Sequence, residues 1–569
     1  MKNYALSIMN CQLSIIHYQL LRFVSCLTAM LLTVAAWGQY RSEVWCPDRG
    51  DGTYVNPVIN ADYSDPDVIC VGDDYYLTAS SFNCMPGLPI LHSRDLVNWQ
   101  IIGHALTRQF TADNSPSYPK PEHGNGVWAP CLRYHDGWFY IYWGDPDRGI
   151  FMVRTQQPDG KWQEPVLVVE GTGIIDTTPL WDDDGRCYLA NGWAGSRCGF
   201  NSVLSVRELS ADGTKAISAP VIVFDGGNAN HTAEGPKLYK RDGWYWIFCP
   251  AGGVATGWQL AMRSRSPYGP YVARRVMDQG KSAVNGPHQG AWVHTAQGED
   301  WFLHFQDKGC YGRVVHLQPL TWSKDGWPVI GQDDNHDGCG EPVMSYRKPK
   351  SNASGVVNPE ESDEFNLPAW GKQWQWQADY QEAFGMPTAD GTLRLYTHRL
   401  GDGSLWDAPN LLLQKTPADR FTATAKLRIA AKADHQYGGL VMMGRDYQAL
   451  VAERIGDDFV LQLLTAHDAD RGKQHTVQTI ATLKPTERDP IPYQPAIYLT
   501  IYLRIKVVDG RCSFAYSTNG RQFREASTDF AMREGKWIGA KIGFVAEETN
   551  SKGNRGWIDA DWFRIGRAE

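Results

Sequence analysis

Three carboxylates and a histidine stand out in the chain: Asp65 in "YSDPDV", Asp176 in "GIIDTTP", Glu234 in "AEGPKLY" and His288 in "GPHQG". Asp176 is the least ordinary of them, because it follows Ile174 and Ile175 at the start of what reads as a buried strand. The acids just after it are easier to explain. Asp182, Asp183 and Asp184 run into Gly185, and Asp-Gly between apolar strands marks a hairpin turn, so these three are expected in solvent. Three carboxylates with no thiol or metal cluster suit the hydrolysis of a glycosidic bond. One protonated carboxyl gives its proton to the leaving oxygen, while a carboxylate either activates water or attacks the carbon. A third acid beside the donor raises the donor's pKa by like-charge repulsion and keeps it protonated near neutral pH. Taken singly, each acid could equally cap a turn or pair with an arginine. Their placement in a repeat argues for a shared site.

Five times the chain shows an aromatic-rich strand just after a glycine-containing turn, at Gly72, Gly137, Gly185, Gly243 and Gly298, with a spacing of about fifty to sixty-five residues. A second strand signal follows each one, and no long amphipathic helix intervenes. Short sheets at this period predict a β-propeller of five blades. The first strand of each blade lines the central channel, so residues at matching distances before the turns converge on one axis. Asp65 lies seven residues before Gly72, Asp176 nine before Gly185, Glu234 nine before Gly243 and His288 ten before Gly298. Four ionisable side chains from four blades are therefore expected at one mouth of the channel.

The segments "YSDPDVICVGDDYYLTASSF", "HSRDLVNWQIIGHAL", "GVWAPCLRYHDGWFYIYW", "IIDTTPLWDDDG", "AEGPKLYKRDGWYW" and "GPHQGAWV" with "GRVVHLQPL" resemble glycoside hydrolase family 43, in family order over about residues 54 to 330. The resemblance implies a five-bladed propeller and inverting, single-displacement hydrolysis. It implies Asp65 as general base, Asp176 as the acid that orients the donor and raises its pKa, and Glu234 as general acid. His288 matches a central histidine near a bound cation, usually calcium, and Arg313 matches an arginine that holds substrate hydroxyls. Phe82, Trp128 and His288 are candidate walls of the first sugar subsite. No organic cofactor is implied. Retaining fructosidases share the propeller but carry other motifs; the lone "RDP", Arg488-Asp489-Pro490, falls outside the propeller.

The remainder of the chain sets the frame. It has 569 residues, 43% hydrophobic and 21% charged, and a formal net charge of -8, enough for more than one core and ill suited to nucleic acid or anionic membranes. Arg22 precedes the apolar run Phe23 to Ala36, which is too short to span a bilayer, and Ala36-Trp37-Gly38 offers small residues for cleavage, so residues 1–38 read as a signal peptide. Export to the periplasm or the outside is expected; a lipoprotein anchored through Cys26 is disfavoured because "FVS" is a poor lipobox. The ten later cysteines show no CxxC spacing, which argues against metal clusters and thiol redox motifs and leaves any disulfide pairing open.

The expected organisation is a catalytic propeller over residues 39–340, a polar linker over 341–361 and a second all-β domain over 362–569. In the last, "FTATAKLRIA" and "IYLTIYLRIKVV" alternate as half-buried strands do, and Asn519-Gly520 marks a hairpin. These strands predict a β-sandwich. "DEFNLPAWGKQWQWQ" and "YGGLVMMGRDYQALVAERI" resemble the concanavalin-like (jelly-roll) domain behind many β-xylosidase-type members of the family, which can lend a loop to the active-site rim or simply stabilise the propeller. Two functions remain in view: an exo-acting hydrolase that removes L-arabinofuranose or D-xylose from plant polysaccharides or oligosaccharides, and a non-catalytic sugar-binding propeller.

Overall fold

The glycines that punctuate the repeat all adopt left-handed backbone, with φ of 64° at Gly72, 78° at Gly137, 80° at Gly185, 70° at Gly243 and 77° at Gly298, which a side chain would resist. They close hairpins in a computed structural model that describes residues 40–109, 120–353, 355–366, 368–400, 403–490, 496–549 and 554–568. The expected signal peptide, with Cys26, lies outside the described residues.

Five four-stranded antiparallel sheets follow one another along the chain, each a simple meander. Their innermost strands are Asp67–Val71, Trp128–His135, Ile174–Trp181, Lys237–Arg241 and His288–His294. The architecture is a five-bladed β-propeller followed by a β-sandwich. Apolar residues on the blade faces interlock neighbouring blades: Val68, Leu77 and Leu91 of the first pack with Ala291, Leu303 and Leu317 of the fifth. The ring closes there through backbone as well. Ile59 exchanges hydrogen bonds with Val315, and Tyr63 N donates to Arg313 O at 2.9 Å.

The polar segment 341–361 does not run free. Ser345–Arg347 within it pairs antiparallel with Thr53–Val55, and Ser42, ahead of the first blade, is held by Asn358 and Glu361 at 3.1 and 2.8 Å. The chain therefore wraps the flank of the propeller on its way to the second domain.

That domain is two packed eight-stranded sheets. Arg420–Ala431 and Ile497–Val508 pair antiparallel along their whole length. Phe421, Ala423, Ala425, Leu427 and Ile429 face the core, while Thr422, Thr424, Lys426 and Arg428 stay partly open, as the alternation requires. Asn519 and Gly520 turn the chain between Arg511–Ser517 and Arg524–Ala531. None of the ten described cysteines is in a disulfide.

The two domains are stitched together by directed polar contacts. Met85 and Trp376 exchange backbone hydrogen bonds, Asn83 Nδ2 donates to Gln377 O at 2.7 Å, and Ala540 N donates to Cys310 O at 2.7 Å. Gly539 N donates to Asp62 Oδ2 at 3.0 Å. A Cβ on Gly539 would fall 2.6 Å from the Tyr311 backbone, so only glycine lets the sandwich loop approach this closely. These contacts fix the loop that carries Trp537 over the mouth of the propeller.

Candidate active site

At the channel end of every innermost strand one residue takes a positive φ: Asp65 (56°), Ala129 (34°), Asp176 (56°), Gly235 (59°) and Gln289 (33°). Three of these positions coincide with breaks in strand register, between Trp128 and Cys131, between Ile175 and Thr178, and between His288 and Gly290. A bulge of this kind re-aims a side chain out of the ordinary alternation. Left-handed backbone costs a non-glycine residue roughly 1–2 kcal/mol, with Asp among the more tolerant types.

This five-fold position refines the spacing argument. Asp65 and Asp176 occupy it, whereas Glu234 and His288 sit one residue ahead of it. In the fourth blade the position belongs to Gly235, where an added Cβ would meet Gln289 Cγ at 2.4 Å. Glycine there lets the fourth and fifth blades close and brings Glu234 to the pocket.

Asp65 is buried and gripped from several sides. Its Oδ2 accepts from Ser64 Oγ at 2.9 Å and Ser80 Oγ at 2.6 Å, and its Oδ1 lies 3.4 Å from Arg313 NH1. Arg313 also donates to Ser64 Oγ at 2.6 Å, and Ser80 Oγ accepts from Ala129 N at 2.8 Å. The carboxylate is thus oriented through the first, second and fifth blades.

Asp176 is buried, and its Oδ2 accepts the backbone N–H of Gly235 at 2.9 Å. Burial and the charge of Asp65 push its carboxyl up to about 7, against the pull of that N–H, Lys237 and Arg313. Glu234 keeps 30% of its side chain open to the pocket. Burial, then Asp176, then Asp65 push it up to about 8, a direction that solvent in an open pocket moderates but does not reverse.

His288 stands behind Glu234, with Nε2 3.5 Å from Glu234 Oε1, and does not itself line the cavity. Burial, Arg313 and His304 hold its imidazole down at about 3, so it is neutral and the contact is not an ion pair. Both ring nitrogens lack a hydrogen-bond partner among the described residues.

Asp65, Asp176 and Glu234 open onto one cavity of about 270 Å³, together with Phe82, Trp128, Arg313 and Trp537. Phe82 meets Trp128 edge-on with ring centroids 6.5 Å apart. Trp128 meets Trp537 in the same way at 6.2 Å, and the Arg313 guanidinium lies 5.8 Å from the Trp537 ring. The sandwich domain therefore supplies part of the wall. Gln289, Thr232 and Val254 also line the cavity and were not singled out in the sequence.

Asp182 departs from expectation. Its side chain is only 2% exposed, because Lys240 and Tyr245 from the fourth blade both donate to it. The turn puts one of its three acids against the next blade and leaves Asp183 and Asp184 to solvent.

Residues 54–328 match the profile of glycosyl hydrolases family 43, and residues 362–566 match that of the beta xylosidase C-terminal concanavalin A-like domain. A "Beta-xylosidase" of Formosa agariphila is 30% identical over 564 residues, covering 91% of this chain and 90% of its own. The chain belongs to glycosyl hydrolase family 43. This family 43 enzyme is also 29% identical over 534 residues to a "Non-reducing end alpha-L-arabinofuranosidase" of Bacteroides ovatus, covering 90% of this chain and 94% of that one. Its fold matches the crystal structure of a xylan beta-1,4-xylosidase from Bacillus halodurans with a TM-score of 0.77 at 23% identity, over 90% of this chain and all of that one (100%). The non-catalytic alternative finds no support among these relatives.

Proposed function

We propose that this glycoside hydrolase works from chain ends, releasing a terminal L-arabinofuranose or D-xylose from plant cell-wall polysaccharides or oligosaccharides with inversion at the anomeric carbon. One observation carries this reading. Across a single cavity, Glu234, pushed up by burial and two neighbouring acids, is set against Asp65, held by two serines and an arginine. A cavity of about 270 Å³ lies just below the range that drug-sized ligands fill, as a site for one end sugar would. Phe82, Trp128 and Trp537 offer apolar faces to the ring, and Arg313 offers donors to its hydroxyls.

In the step we propose, Asp65 takes a proton from a water whose oxygen bonds to the anomeric carbon. The bond from that carbon to the leaving oxygen breaks, and Glu234 gives its proton to that oxygen. Asp176 works through its charge and through Gly235: it keeps Glu234 protonated and fixes the backbone beside it. Asp65 and Glu234 come from the first and fourth blades with the fifth between them, which favours the wider carboxyl separation that leaves room for water.

The unpartnered nitrogens of neutral His288 suit a hydrated cation such as calcium at the propeller centre. The described residues offer no cluster of three or more ligating side chains, so His288 and water would hold it, and when bound it would supply a positive field below the acids. Export, on the strength of the leader at residues 1–38, would place the enzyme with its polymeric substrate.

The two named relatives differ in sugar, so a panel of nitrophenyl glycosides tests the assignment. Release from an α-L-arabinofuranoside or a β-D-xyloside is expected. Activity on neither, with turnover of another glycoside, would overturn it.

A further inference from the structure

The face of the propeller opposite the active-site mouth carries a second cleft, of about 350 Å³, between the fourth and fifth blades. Asp242 lies in the turn after the innermost strand Lys237–Arg241, and Lys324 to Gly326 lie in the turn after Arg313–Trp322. Both turns close the far end of their meanders. Trp244, Trp246 and Trp322 form the walls, with Arg241, Arg263 and Lys324 around them.

The charges there are not balanced. Asp242 Oδ2 already accepts from Arg241 Nε at 3.1 Å. Asp325 accepts from Arg274 NH1 at 2.7 Å and from Ser323 Oγ at 2.6 Å. Arg263, by contrast, donates among the described residues to the carbonyls of Asp325 and Gly326, at 3.1 and 3.3 Å, and has the Asp325 charge nearby but no carboxylate in hydrogen-bond contact. Lys324 has no hydrogen-bond or ion-pair partner among the described residues and is exposed. The Arg263 guanidinium lies 4.7 Å from the Trp244 ring centroid, and that of Arg241 lies 4.0 Å from the Trp322 ring centroid. Stacking of this kind holds the planar group still and leaves its in-plane N–H donors for a partner. Trp246 is buried in the same wall, yet its indole Nε1 has no hydrogen-bond partner among the described residues.

We propose that this cleft is a second carbohydrate site, specific for an acidic sugar: a hexuronate whose carboxylate pairs with Arg263 and Lys324 and whose ring lies against the tryptophans. Packing between blades accounts for Trp246 beside Trp322 and Trp327. It does not account for an exposed Lys324 with no ion-pair partner among the described residues, next to a stacked Arg263 that hydrogen-bonds to carbonyls, at an open cleft. Bidentate recognition of a carboxylate is what a fixed guanidinium does best, and aromatic walls beside it suit a sugar ring. The proposal rests on the polysaccharide reading above and adds to it a hold on acidic side groups of the polymer, far from the bond being cut.

The test is affinity electrophoresis of the Glu234→Gln enzyme through gels containing glucuronoxylan, or the same polymer after chemical reduction of its carboxylates. Stronger retardation by the acidic polymer than by the reduced one is expected, with at least a tenfold loss of affinity for the acidic polymer in the Arg263→Gln/Lys324→Gln variant. Lys324→Gln by itself, at an exposed turn position, should weaken binding several-fold. Equal retardation by both polymers, or unchanged retardation of the variants, overturns the site. In the otherwise unaltered enzyme the double variant should leave kcat/KM on nitrophenyl pentosides unchanged. Absence of any pentosidase activity would instead count against the proposed function, while retention by the acidic polymer would stand separately.

Discussion

The backbone N–H of Gly235 donates to Oδ2 of Asp176 at 2.9 Å, so the acid of the third blade is tied to the residue that directly follows Glu234 in the fourth. One carboxylate thereby sets both the position and the proton affinity of another.

If Glu234 is the proton donor, Glu234→Gln loses rate only where the leaving group needs a proton. On arabino- or xylo-oligosaccharides kcat/KM should fall by about 10²–10⁴, while aryl glycosides with good leaving groups are largely spared. Steady-state kinetics on both classes decide this; equal losses would assign the donor elsewhere.

The pH profile follows from the same contact. Activity needs Glu234 protonated, so kcat/KM should fall on the alkaline side near the value of about 8 to which Glu234 is pushed. Asp176→Asn removes a like charge, lowers the affinity of Glu234 for its proton, and should move that alkaline limb to lower pH. An unmoved limb would contradict the role given to Asp176.

In Glu234→Gln, stability should move the opposite way to activity. Glu234 binds its proton more tightly folded than unfolded, since its value rises from 4.5 to about 8. The stabilisation present below the unfolded value is therefore lost as pH rises through the folded one. Glu234→Gln escapes that loss, so its Tm advantage over the parent should grow between about pH 5 and 8. Thermal melts across that window check it, and a constant difference would show that Glu234 is not strained by its burial.

Trp537 is 46% exposed and closes the cavity from the sandwich domain. Trp537→Ala should leave folding stability within about 0.5 kcal/mol, as surface substitutions usually do. It should raise KM roughly tenfold, the worth of one aromatic contact of about 1.4 kcal/mol. A fall in kcat at constant KM would instead mean that the loop takes part in the chemical step.

What the sequence disclosed follows from how local each signal is. Asp65, Asp176 and Glu234 sit in short motifs at a regular offset from turn glycines, and the offset is set by strand length, so their meeting was legible. The left-handed position that separates Asp65 and Asp176 from Glu234 and His288 was not, because bulges leave no residue-type signature apart from Gly235. Asp182 looked solvated since its partners, Lys240 and Tyr245, lie in the next blade. Trp537 was invisible for the same reason at longer range: it reaches the site from another domain, on a loop whose approach depends on Gly539 lying against Tyr311.

A hydrated cation at His288 would tune the acids without taking part in folding. Chelation should then lower activity partially, with recovery on adding calcium, while circular dichroism and Tm stay near those of the untreated protein. Unfolding on chelation would contradict a site held mainly by water.

In the proposed step, Asp65 activates water on one side of the sugar while Glu234 protonates the leaving oxygen on the other. Proton NMR of the first-formed pentose, recorded before mutarotation, decides between this and a covalent route. The inverted anomer is expected from the first spectrum with no accumulating glycosyl-enzyme; a retained anomer would make Asp65 a nucleophile and overturn the arrangement inferred from the blades.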